Sequence, residues 1–270
     1  MLGLNNTLLK LFSTLIIIVV ICILIGNYAF KNGLLTCEHY VFNTYLYIVL
    51  AILIMFMVVL VNDQTGVFTS LYNMLGTNGI ANFIFFILIL IVLVGLVYLL
   101  KTTNPRDLFK THIIWFFLIF ILGFLLVPAV MLGRLENVIG MAGVLTLAIV
   151  IITGVLGYYL GDKIITFNWD MYLGWALMAL IAVSIIGPFL IKDANTLLTF
   201  IYAISIASLI IFILLLLSNH KKMKENANKC IDTTNPPNYP LESFNVVIKI
   251  VNVFQDLIEI LAIRKMRRRR

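Results

Sequence analysis

Eight apolar stretches, each about 20 residues long, leave this 270-residue chain little freedom of fold. They run over Leu11–Phe30, Thr44–Val61, Ala81–Leu100, Ile113–Leu132, Val138–Leu160, Met171–Ile191, Leu197–Leu217 and Phe244–Ile263. Each is long enough to cross a hydrocarbon core of about 30 Å as a helix. In lipid the backbone N–H and C=O groups find no water, so a spanning segment is either a helix or a strand of a closed barrel. The apolar runs are continuous and lack the period-two alternation of a barrel strand. A soluble domain carries about a quarter charged residues; this chain is 11% charged and 62% hydrophobic. The fold class is therefore an all-α polytopic membrane protein. The loops are short, which favours one helical bundle. The longest polar stretch, Ser218 to Ser243, holds Lys221, Lys222, Lys224, Lys229 and Pro236-Pro237 and is too short for a separate soluble domain.

Charge leaves the topology undecided. The net charge of +7 is no nucleic-acid signature, because six basic residues lie in the last seven, Arg264-Lys265-Met266 and Arg267 to Arg270. Such a cluster reads as a cytoplasmic tail, and it attracts anionic headgroups by about 1 kcal/mol per basic residue. If all eight segments cross, Lys10, Arg134, Lys192 and the tail share one side, nine basic residues in all. Nine others share the opposite side: Lys31, Lys101, Arg106, Lys110, Lys163, Lys221, Lys222, Lys224 and Lys229. If the last segment dips in and returns, the split becomes fifteen to three, which the positive-inside rule favours. A full crossing is favoured instead by the segment's length. The first segment follows Lys10 and lacks a small-residue cleavage site, so it reads as an uncleaved signal anchor. Cys22 reads as an intramembrane packing residue. Cys37 and Cys230 fall in loops on the same side; they would pair if that side is lumenal and stay reduced if it is cytosolic.

The last apolar segment carries a polar stripe. Asn245, Lys249, Asn252, Asp256 and Glu259 recur at spacings of 4, 3, 4 and 3, which places them along one helix side. A helix keeps ionisable groups in a membrane only where they face protein or water, so this stripe is where function is sought first.

The text of that stripe, Phe244-Asn245-Val246-Val247-Ile248-Lys249-Ile250-Val251-Asn252-Val253-Phe254, resembles the closing helix of the transmembrane Bax inhibitor motif family, which includes the Bax inhibitor, lifeguard and Golgi anti-apoptotic proteins. The family pattern is apolar-Asn-apolar-x-apolar-Asp-apolar-apolar-Asn-apolar-Phe. Asn245, Asn252 and Phe254 match in register, and the basic tail is also family-like. Phe120-Ile121-Leu122-Gly123 through Pro128 resembles the family's third helix, and Ile139 to Thr146, with Ala142 and Leu145-Thr146, resembles the start of its fourth. The resemblance implies a seven-helix bundle over 43–263, preceded by a signal-anchor helix and loop at 1–42 and followed by a basic cytoplasmic tail at 264–270. It further implies an endoplasmic reticulum or Golgi protein that modulates calcium leak and inhibits apoptosis, with calcium or other cations and membrane proteins of cell-death control as partners. The family's paired aspartates, implicated in a pH-sensitive calcium leak, correspond here to Lys249 and to Ser218 within Leu217-Ser218-Asn219-His220. Both carboxylates are replaced, and Lys249 would repel a cation.

Each of these residues also has a plainer reading. Lys249 lies near the start of its helix, within snorkelling reach of headgroups; the alternative is a fixed internal cation. Asp256 and Glu259 are neighbours on one helix face, either a polar face at the cytoplasmic mouth or a displaced acidic site for cations. His112, Trp115, Trp169 and Tyr172 read as interfacial. Pro128 and Pro188 fall inside helices. Gly154, Gly157 and Gly161 suggest a close helix contact. No HExxH, metal-spaced Cys/His set, phosphate loop or Gly-x-Ser-x-Gly is present, so an enzyme is not expected, and neither a cofactor nor a resident metal is. The competing function class is a small transporter, or a membrane assembly subunit whose stripe packs on a partner without conducting ions.

Overall fold

Each of the eight apolar stretches lies on an α-helix, to within two residues at its ends, in the computed structural model, which describes residues 2–67, 70, 79–165, 169–231 and 236–269. In chain order these are α1 (Leu2–Tyr28), α2 (Tyr40–Thr65), α3 (Gly79–Thr102), α4 (Leu108–Leu135), α5 (Ile139–Ile164), α6 (Trp169–Leu190), α7 (Ala194–Lys229) and α8 (Tyr239–Arg269), with a short hairpin, β1 (Phe30–Lys31) and β2 (Leu34–Leu35), between the first two. Six of them, α1, α2 and α4 to α7, are long and apolar enough to cross a membrane. Among the described residues α3 offers the apolar span Ile87–Thr102, and α8 stands outside the six. Its stripe, with Lys249, Asp256 and Glu259, lowers its hydropathy.

The last apolar segment lies on α8. That helix runs unbroken for 31 residues, about 46 Å at 1.5 Å per residue. A segment that dips in and returns needs a turn within it, and none interrupts α8. Val246, Val247, Val253, Ile258 and Ala262 on it are buried. The helix also continues through the basic tail to Arg269.

The chain divides into two compact units, Met1–Val127 with Ala227–Val247 and Pro128–Asn226 with Ile248–Arg270. In the first, α1 packs along α2. The turn between β1 and β2 is Asn32-Gly33, both with positive φ (53° and 77°), as a type I′ two-residue turn requires. Behind the hairpin, Asn43 near the start of α2 gathers three segments. Its Nδ2 donates to the carbonyl oxygens of Tyr28 (3.0 Å) and Glu38 (2.8 Å) and toward the Tyr239 hydroxyl (3.3 Å). That hydroxyl in turn donates to the Thr36 carbonyl oxygen. Tyr47, Tyr239 and Trp115 pack ring on ring, and the Trp115 indole N–H donates to Ser243 Oγ at 3.0 Å. Trp115 is thus a core residue at 3% exposure and not a belt anchor. His112 bonds the Tyr47 hydroxyl at 2.7 Å. Cys22 is exposed on α1 and, with Ile18, Leu50, Trp115 and Phe120, lines an apolar cavity of about 530 Å³, so it is not the packing residue its position suggests. Cys37 and Cys230 are joined as a disulfide, with Cα atoms 5.7 Å apart.

Because Asn43 is fully buried and its donors serve backbone carbonyls, Asn43→Ala leaves those acceptors unpaired. It is expected to lower stability by about 1–3 kcal/mol, read as the melting temperature of detergent-solubilised protein beside a Thr102→Ala control on the surface.

In the second unit, α5 and α7 meet at glycines. A Cβ on Gly157 would sit 2.6 Å from the Leu217 carbonyl oxygen and 2.7 Å from His220 Cβ, and one on Gly161 would meet the Lys221 side chain at 2.9 Å. Asp193 caps α7, accepting from the Thr196 N–H and hydroxyl at 2.7 Å each. Those bonds hold its carboxyl below the usual range. The polar C-terminal turns of α7 are tied by Lys222–Asp170 (2.5 Å) and Lys224–Asp162 (3.1 Å) pairs, with Lys221 Nζ donating to the Ile165 carbonyl oxygen (2.9 Å). At the other end of the unit, Lys265 donates to the Glu136 carbonyl oxygen and Arg269 pairs with its carboxylate at 3.2 Å.

Candidate functional site

Ser205 and Ser208 stand one turn apart on α7, 1% and 8% exposed. Asp256 and Glu259 stand one turn apart on α8. The two helices place these pairs against each other in antiparallel register. Ser205 Oγ lies 2.6 Å from Glu259 Oε2 and 2.9 Å from the Ile201 carbonyl oxygen, so its single proton has two acceptors. The Ser208 hydroxyl donates to the Asp256 carboxylate. Toward the end of α8, Arg267 Nη2 donates to Thr199 Oγ1 at 2.7 Å, and the guanidinium lies 5.2 Å from the centre of the Tyr202 ring. Thr199, Tyr202, Ser205 and Ser208 therefore form a polar face on α7, at a spacing of three, that answers the end of the α8 stripe.

The partnering is uneven. Glu259 is half-buried and bonded by Ser205. Asp256 is 8% exposed and has a second carboxylate oxygen, Oδ2, with no hydrogen-bond partner among the described residues. Leaving a buried polar atom unpaired costs about 1–3 kcal/mol. Two carboxylates and two hydroxyls make a set of oxygen ligands of the kind hard cations accept. Among the described residues no three His, Cys, Asp or Glu side chains converge as a metal site.

The remaining stripe residues divide by role. Asn252 turns its amide onto its own helix, with Nδ2 donating to the Ile248 carbonyl oxygen at 2.6 Å. Lys249 and Asn245 are half-buried on α8, and Ser218 is buried at 3% exposure on α7. Of the sequence candidates, then, the structure brings together Asp256 and Glu259 and gives them serine partners. Ser205 and Ser208 were missed. Their spacing with Thr199 and Tyr202 was readable, but isolated hydroxyls inside an apolar run carry little weight in a search for charged groups.

A family model described as Bax1-I, inhibitor of apoptosis-promoting Bax1, matches residues 37–266. The match begins at Cys37, after α1 and the hairpin, and takes in α2 to α8 almost entirely. No curated protein matches the chain.

Proposed function

This chain belongs to the Bax1-I family, inhibitors of apoptosis-promoting Bax1, and from that premise we propose that it modulates calcium leak across an endoplasmic reticulum or Golgi membrane and thereby inhibits apoptosis. The acidic chemistry has moved along α8, from the family's aspartate position, occupied by Lys249, to Asp256 and Glu259 two to three turns further on. The observation that carries this reading is the pairing of these acids with Ser208 and Ser205 inside the protein, which leaves one buried carboxylate oxygen open to a cation. Membrane helices keep such groups where an ion path or a proton relay needs them.

Protein reconstituted in liposomes is expected to pass calcium, and Asp256→Asn with Glu259→Gln is expected to reduce the flux several-fold. Absence of flux at both neutral and acidic pH removes the reading. Lys249→Asp restores the family's carboxylate at its own position, and a gain of calcium leak is expected. An unchanged leak would place Lys249 outside the path.

A second reading is a small transporter or a membrane assembly subunit, in which the stripe serves packing and no ion passes. It is favoured by the replacement of both family aspartates, at Lys249 and Ser218. On this reading, neutralising Asp256 and Glu259 disrupts a co-purifying complex and leaves liposome flux at the level of empty vesicles.

A further inference from the structure

We infer that the Cys37–Cys230 bond is a clasp formed on the non-cytosolic face of the membrane, and that α8 carries the chain from that clasp to a cytosolic basic end. Cys37 stands between the hairpin and α2, and Cys230 directly follows α7. They are 193 residues apart in sequence, with Cα atoms 5.7 Å apart. Disulfides persist in oxidising compartments and are rare where glutathione and thioredoxin keep thiols reduced. The bond does not stand alone. Tyr239, nine residues after Cys230, donates its hydroxyl to the carbonyl oxygen of Thr36, the neighbour of Cys37, and Asn43 ties both to the end of α1. The clasp thus fastens the segment that lies outside the family match, α1 and the hairpin, to the start of the family's closing helix.

Sidedness follows from this geometry where charge counting fails. With every segment crossing, basic residues divide nine to nine and the positive-inside rule is silent. The fifteen-to-three alternative needs α8 to return to the side it left, which would put the bridge in the reducing cytosol. The unbroken 31-residue helix, with no turn to bring it back, supports the crossing. The tail then faces the cytosol, Lys249 lies in the half of α8 nearer the clasp, and Asp256 and Glu259 lie in the half nearer the tail. Closing the clasp removes two electrons and two protons from the two thiols. They pass by thiol–disulfide exchange to a disulfide of the compartment, glutathione disulfide or an oxidoreductase, which leaves as two thiols.

The test uses the full chain with Cys22→Ser, so that only the clasp cysteines remain, and with an epitope tag after Arg270, in sealed microsomes. A membrane-impermeant maleimide polymer is expected to add nothing without reductant. It should add two polymers per chain only after reduction of vesicles opened with detergent. Protease outside intact vesicles is expected to remove the tag. Labelling without reductant overturns the clasp. After a cell-permeable reductant, labelling from outside intact vesicles overturns its side, and a tag protected in intact vesicles overturns the crossing. None of these readouts depends on ion flux, so the clasp stands or falls apart from the proposed leak.

Discussion

Gly157→Ala is expected to be among the most damaging single changes in the chain, with a cost of about 1–3 kcal/mol from overpacking alone. The added methyl would lie 2.6 Å from the Leu217 carbonyl oxygen and 2.7 Å from His220 Cβ. The first is backbone and the second is rigidly attached to it, so no side-chain rotation relieves the clash and α5 must move off α7. In a membrane that separation is costly, because helices there associate through close van der Waals packing and not through exclusion of apolar surface from water. Two further glycines of α5 calibrate the effect. A Cβ on Gly161 meets Lys221 Cβ at 2.9 Å and no backbone atom, a looser approach than the one at Gly157, so Gly161→Ala is expected to cost less. A Cβ on Gly143 meets nothing within 4 Å, and Gly143→Ala is expected to be neutral or slightly stabilising through helix propensity. Melting of the three variants in detergent should rank them Gly157, Gly161, Gly143 in order of damage. Equal melting of the Gly157 and Gly143 variants would mean that the two helices do not touch there.

The same glycines illustrate what was legible in the sequence. Period and composition place all eight helices in order, because a 20-residue apolar run in lipid has no other way to satisfy its backbone. Helix ends are a different matter. Hydropathy ends the seventh segment at Leu217 and starts the eighth at Phe244, whereas α7 continues to Lys229 and α8 begins at Tyr239. Hydropathy marks where lipid contact stops, and backbone hydrogen bonding continues into water where Lys222 and Lys224 find Asp170 and Asp162. The hairpin was readable from Asn32-Gly33, a strong type I′ turn pair, but it sits in a loop that span counting passes over. An aromatic near a helix end, such as Trp115, has two homes, the interface and the core, and its burial and the hydrogen bond to Ser243 distinguish them. The Cys37–Cys230 bond is not legible in the sequence, because pairing depends on a distance across 193 residues that no local pattern encodes. At the candidate site the acids were visible by charge. Their serine partners became visible only when two helices distant in sequence were set side by side.

That pairing leads to an expected reversal of sign. Ser208→Ala strips the carboxylate of Asp256 of its one hydrogen-bond donor among the described residues, and leaves both oxygens without a partner there. The loss should be about 1–3 kcal/mol. The double variant Ser208→Ala/Asp256→Val removes donor and acceptor together, at similar volume, from a site 8% exposed at each residue. Replacing a buried polar pair by apolar groups of like shape is neutral or stabilising, and here one carboxylate oxygen starts without any partner. The double variant is therefore expected to melt at or above the wild type, although one of its two changes is destabilising by itself. Such non-additivity is the mark of two groups acting on each other. Calcium flux in liposomes should fall in the double variant while its stability holds or rises. A double variant that melts below both the wild type and Ser208→Ala would show that Asp256 Oδ2 is satisfied in the membrane, by water or by a cation, and that its cost to folding is already offset there. Opposite movement of stability and flux would identify Asp256 as a residue held in place for its chemistry, since packing alone would have favoured valine.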